Sequence, residues 1–160
     1  MNCDYIVSQA KQFALTYQRD PFTAASENGA LISFKDLGSL KGAFFGALPQ
    51  PAVVISSCID ENTQKIVCAH ELGHFILHKN QNFSCDGIDF ALHSTIGILE
   101  REANLFAAAF LIDIDNTTEL LKQGYSVQQT ASILKTDINL LMFLLNNLGL
   151  CDAPDSCFLK

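Results

Sequence analysis

The 160-residue chain is nearly half hydrophobic (49%) and carries 17% charged residues, with a net charge of −7. That suits one packed domain with a small appendage and excludes an intrinsically disordered chain. Ten Lys and Arg scattered along a chain of pI near 4.8 supply no basic face, so direct nucleic-acid binding is excluded as well.

The apolar runs around Leu105–Ile112 and Leu140–Leu145 fall far short of the ~20 residues of a membrane span. With no basic stretch before an apolar core near Met1, the expectation is a cytoplasmic protein without a membrane segment. Six cysteines, Cys3, Cys58, Cys68, Cys85, Cys151 and Cys157, show no C-x-x-C pair. They are expected as reduced thiols.

In chain order, Asp4 to Tyr17 has amphipathic spacing, and Pro21 follows its expected end. Ala30–Phe34, Ala43–Ala47 and Ala52–Ser56 read as strands of a small sheet, the last on its β-branched Val53-Val54-Ile55. From Thr63 to His78 apolar residues recur at three and four positions without proline, which predicts a helix. A loop from Phe83 to Ser94 carries Gly87, and a second helix is expected from about Ile96 to Ile112. Beyond it come short helices over Thr117–Gln123, Val127–Leu134 and Ile138–Leu148, with Ser126 and Asp137 as N-caps. The last two fit a helix-turn-helix pattern, read here as a packing or partner-binding element because of the acidic balance. The expected fold is α+β: a core over 1–114 with a small sheet and an active-site helix, and a C-terminal helical appendage over 115–160.

His70-Glu71-Leu72-Gly73-His74 is the strongest signal. On a helix, positions i and i+4 share a face, so two imidazoles can converge on one ion. Glu71 can reach a water on that ion as general base. Chance matches to five residues occur, but the flanks Ile66–Ala69 and Phe75–Leu77 are those of a buried helix. A buried histidine pair beside a carboxylate would be costly there without an ion.

A catalytic zinc site requires a third protein ligand. Glu100 and Asn104 share a face of the second helix, which makes Glu100 the expected third ligand to Zn²⁺ and Asn104 a partner that orients a ligand histidine. Glu102 points away and reads as a solvated acid of an early helical turn. His78 lies ~12 Å along the axis from His70 and reads as a rim or packing residue. His93, in the loop, is the candidate to stabilise the oxyanion of a tetrahedral intermediate, against an ordinary loop histidine; Tyr125 is a weaker candidate for that duty.

Lys65-Ile-Val-Cys-Ala-His-Glu-Leu-Gly-His-Phe-Ile-Leu-His78, followed by Glu100-Arg-Glu-Ala-Asn-Leu-Phe-Ala-Ala-Ala-Phe-Leu111, resembles the ImmA/IrrE-type metallopeptidases. Pro51-Ala-Val-Val-Ile-Ser fits the strand before their active-site helix, and Ser126 to Leu148 is similar to their small helical region. The resemblance implies a zincin-like core with zinc on His70, His74 and Glu100. It also implies, for members on phages and other mobile elements, an anti-repressor protease that cuts a helix-turn-helix repressor. One departure is visible: Leu111-Ile112-Asp113 stands where members often have Leu-Met-Pro, whose proline closes the second helix. The rival function is a regulatory module that sequesters a repressor without cutting it, and Glu71 argues against that. General peptide turnover is weakened by the absence of an added substrate-binding domain.

Overall fold

The computed structural model describes residues 2–78 and 97–150. Among them are seven helices and three strands, an α+β arrangement. They fall into two compact units that divide between Leu111 and Ile112.

In the first unit, α1 (Cys3–Thr16) is capped by the Asn2 side chain and buries Ile6, Ala10 and Ala14, one stripe at a four-residue repeat. Gln18 and Arg19 then take positive φ, turning the chain sharply. There the structure adds an element absent from the sequence reading, α2 (Pro21–Glu27). Asp20 accepts from the Phe22 amide as N-cap, and Pro21 stands at the first helical position, where its missing N–H costs nothing. Pro21 thus opens a helix rather than merely following one.

β1 (Leu31–Lys35), β2 (Gly42–Phe45) and β3 (Ala52–Ser56) form one sheet in the order β1-β3-β2. β3 is the centre, parallel to β1 and antiparallel to β2. Its Val53 and Ile55 are fully buried, as an alternating central strand requires.

β3 leads into α3 (Glu61–Leu77), whose N-cap Asp60 accepts from the Thr63 amide and hydroxyl. α4 (Ile98–Leu111) buries every residue from Ala103 to Phe110. α3 packs on α2, α4, β2 and β3, while α1 covers another side of α4 through Phe13 against Phe106. The core is therefore layered around α3 and α4.

α4 ends at Leu111 with no proline to close it. Arg19 donates from Nη1 to the Phe110 carbonyl at 2.9 Å, satisfying one of the acceptors a helix leaves open at its C-terminus. Asp113 then accepts from the amides of Asp115 and Asn116 and starts a new helix.

The second unit holds α5 (Ile114–Lys122), α6 (Val127–Leu134) and α7 (Ile138–Asn147). Ser126 and Gln129 form a reciprocal capping box on α6. Lys135, with φ of 52°, ends that helix in the left-handed region, and Asp137 caps α7 from its first turn. α7 buries Leu140, Leu141, Leu144 and Leu145. No helix of the described residues is long and apolar enough to cross a membrane.

Candidate metal centre

α3 is enclosed from Val67 to Phe75, nine residues in succession. His70, Glu71 and His74 are therefore in the interior, each at most 1% exposed. Polar groups in such a place need partners, because their hydration is lost.

His70 is partnered on both nitrogens. Its Nδ1 lies 2.7 Å from Asn104 Oδ1. An amide oxygen only accepts, so Nδ1 carries the proton and Nε2 presents its lone pair. That Nε2 stands 3.1 Å from His74 Nε2 and 3.3 Å from Glu100 Oε2. Glu100 Oε1 is in turn 3.3 Å from His74 Nε2. The ligand atoms of His70, His74 and Glu100 all lie within 4.8 Å of one another and could hold a metal ion, the one such group of His, Cys, Asp and Glu among the described residues. Three electron-rich atoms facing one another repel unless protons or a cation lie between them.

Glu100 stands in the first turn of α4 with its side chain one-third exposed, so the cluster is open on its side. Where protons rather than an ion fill the space between these atoms, hydrogen bonds from His70 and His74 hold the Glu100 carboxyl well below the usual carboxylate range. Glu71 behaves in the opposite sense. Burial pushes it up to about 8; the Glu100 carboxylate adds to that rise and His74 opposes it. Neither Glu71 oxygen has a hydrogen-bond partner among the described residues. A buried carboxyl with both oxygens unsatisfied is a costly feature of a kind that gathers at functional sites.

Two glycines set the walls. A Cβ on Gly42, the first residue of β2, would meet Val67 Cγ1 at 2.3 Å and Glu71 Oε1 at 3.4 Å. A Cβ on Gly73 would stand 3.0 Å from Ala103 Cα and its carbonyl oxygen. α4 thus approaches α3 at backbone distance beside the motif, and the β2 backbone lies directly against the Val67 and Glu71 side chains. Hydrophobic periodicity marks neither position; the available signal is at Gly73, since a glycine inside a helix costs about 1 kcal/mol against alanine and so points to a close approach.

Glu102 is apart from the cluster, as helical geometry requires, but it is not a solvated acid. Its Oε2 lies 3.8 Å from His78 Nε2 with the side chain 18% exposed. His78 is buried rather than at a rim, with Nε2 3.2 Å from the Leu99 carbonyl. Cys68 is buried in α3, which pushes its thiol up, and Cys3, Cys58 and Cys68 form no disulfides. His93 and the Phe83–Ser94 loop lie outside the described residues. Tyr125 belongs to the second unit and is 41% exposed.

Residues 25–139 match the Peptidase_M78 family, described as the IrrE N-terminal-like domain. The chain is also 33% identical over 96 residues to the metallopeptidase ImmA of Bacillus subtilis (strain 168). That similarity takes in 57% of this chain and 55% of the relative, so it spans little more than half the relative's length. The family match covers both α3 with its His-Glu-x-x-His motif and α4 with Glu100, and by it this chain belongs to the Peptidase_M78 family of IrrE N-terminal-like metallopeptidases.

Proposed function

We propose that this chain is a zinc-dependent endopeptidase that cleaves a helix-turn-helix transcriptional repressor. The observation that carries the reading is the convergence of His70 Nε2, His74 Nε2 and Glu100 at 3.1–3.3 Å, beside a buried Glu71 whose oxygens have no hydrogen-bond partner among the described residues. Ligands about 2.0–2.1 Å from a tetrahedral zinc stand roughly 3.3 Å apart along the edges of the tetrahedron. The donor set fits, and His₂Glu leaves a fourth position for water or substrate.

Zinc bound there would acidify a water and polarise the scissile carbonyl. The chain's own residues do the rest. Glu71 takes the proton of the attacking water on a carboxylate oxygen and delivers it to the departing amine. Asn104 holds His70 in the tautomer that turns Nε2 inward. His93 is the proposed oxyanion donor.

The repressor as substrate is supported by the ImmA/IrrE resemblance and by charge. A chain of net charge −7 attracts a basic DNA-binding protein and accelerates their encounter. The decisive experiment is co-expression with a helix-turn-helix repressor, the first choice being any that a neighbouring reading frame encodes. Wild type should yield defined repressor fragments and relieve repression. Glu71→Gln should keep its zinc yet leave the repressor whole and repressing. Relief of repression by Glu71→Gln as complete as by wild type would make the protein a sequestering module instead.

A further inference from the structure

We propose that His78 is a positioning residue for the metal centre, holding the first turn of α4 so that Glu100 is presented to the two histidines. The inference rests on reading Glu100 as a metal ligand. His78 is the C-cap residue of α3, one turn beyond His74, and only 4% exposed. Its Nε2 lies 3.2 Å from the carbonyl oxygen of Leu99, the residue immediately before Glu100. A carbonyl cannot donate, so Nε2 carries the proton and donates to it.

Helix ends fray, and Glu100 stands in the first turn of α4. Gly97, whose carbonyl accepts from the Arg101 amide as that helix begins, has no side chain with which to cap it. The His78 donor does not replace a cap, which would serve amides; it ties this turn to α3 through the Leu99 carbonyl. Glu102 Oε2, 3.8 Å from the same ring nitrogen, adds a negative charge on the donor's side and favours the protonated Nε2. Bulk is not what the arrangement needs. An apolar side chain could fill the space, but only a donor can hold the Leu99 carbonyl.

The test uses the full chain and compares wild type, His78→Leu, which fills the space without a donor, and His78→Gln. The glutamine Nε2 stands as many bonds from Cα as the histidine Nε2 does. Zinc affinity is read by competition with a chromogenic chelator, and ligand geometry by the visible spectrum of the Co²⁺-loaded protein. His78→Leu should bind zinc about 10–100-fold more weakly, the range for loss of a group that orients a ligand, with a shifted Co²⁺ spectrum. His78→Gln should restore most of the affinity and the wild-type spectrum. A leucine variant that binds as wild type does, or a glutamine variant as weak as leucine, overturns the inference. Should the leucine variant fail to fold by circular dichroism, His78→Gln against the shorter His78→Asn decides, and equal affinities overturn it. A wild-type chain that takes up no zinc would overturn the metal assignment and this role with it. Tight wild-type binding with an unchanged leucine variant would overturn the role of His78 alone.

Discussion

Replacing Gly73 by alanine tests whether the metal centre depends on backbone contact between α3 and α4. The added Cβ would stand 3.0 Å from Ala103 Cα and O and 3.3 Å from Phe106 Cβ. Carbon atoms at rest are about 3.5–4.0 Å apart, so the helices must separate by roughly half an ångström to one ångström. Ala103 is three residues from Glu100 on the same helix, and metal ligands tolerate displacements of only about ±0.2 Å. Zinc affinity should therefore fall on the order of 10–100-fold, as when the support of a ligand is lost. Stability of the metal-free chain should fall by no more than about 2 kcal/mol, because overpacking costs about 1–3 kcal/mol and alanine's helix propensity returns about 1 kcal/mol of it. Chelator competition reads the first quantity and urea unfolding in EDTA the second. Gly97→Ala is the control, since a Cβ there meets nothing within 4 Å. If Gly73→Ala binds zinc as Gly97→Ala does, the two helices adjust freely and the reasoning from close packing is wrong.

The glutamates of α4 should separate cleanly: Glu100→Ala should lose zinc as severely as His70→Ala/His74→Ala, whereas Glu102→Ala keeps most of its affinity. Asn104→Ala should fall between, about 10–100-fold below wild type, as measured by the same competition. A pH-dependent effect belongs to Asp60, whose carboxyl is held below its ordinary value chiefly by the Thr63 hydroxyl and then by the Thr63 amide. A lowered folded-state pKa stabilises above the unfolded value of about 3.9 and is lost as pH falls through the folded one. Thermal melts should thus show Asp60→Ala less stable than wild type at neutral pH, with the gap closing in acid; a gap that widened there would contradict the sign.

The sequence made local geometry legible, and distant pairing much less so. His70 with His74, and Glu100 with Asn104, are each four apart on a helix, and the structure brings all four side chains together. The caps Ser126 and Asp137 were readable for the same reason, since a cap acts within three residues. All three strands are legible, β3 with both its ends and β1 and β2 with ends displaced by a residue or two. α2 was missed because Asp20-Pro21 signals the start of a helix as well as the aftermath of one. Contacts between remote segments left no periodic trace. Arg19 on the Phe110 carbonyl is 91 residues away in the chain, and His78 on Leu99 is 21 away. Periodicity tells which face of a helix is inward; it does not tell which backbone group that face will meet.

Enclosing the reactive helix explains why so much of the surrounding sequence is committed. A helix buried from Val67 to Phe75 gains from apolar packing at Leu72 and Phe75 but must satisfy each polar group it takes inside. Asn104 and the Leu99 carbonyl on α4 answer His70 and His78, so α4 contributes partners as well as a charge. Glu71 is the one buried carboxyl left with neither oxygen bonded among the described residues. β2 closes over it through Gly42, where a side chain would collide with Val67. A sequence selected for stability alone would place an apolar residue at position 71, because an unsatisfied buried carboxyl costs more than its packing returns. His74 Nδ1 beside it also has no hydrogen-bond partner among the described residues, so the unmet polar capacity gathers in the motif itself, which is what the proposed chemistry at Glu71 requires.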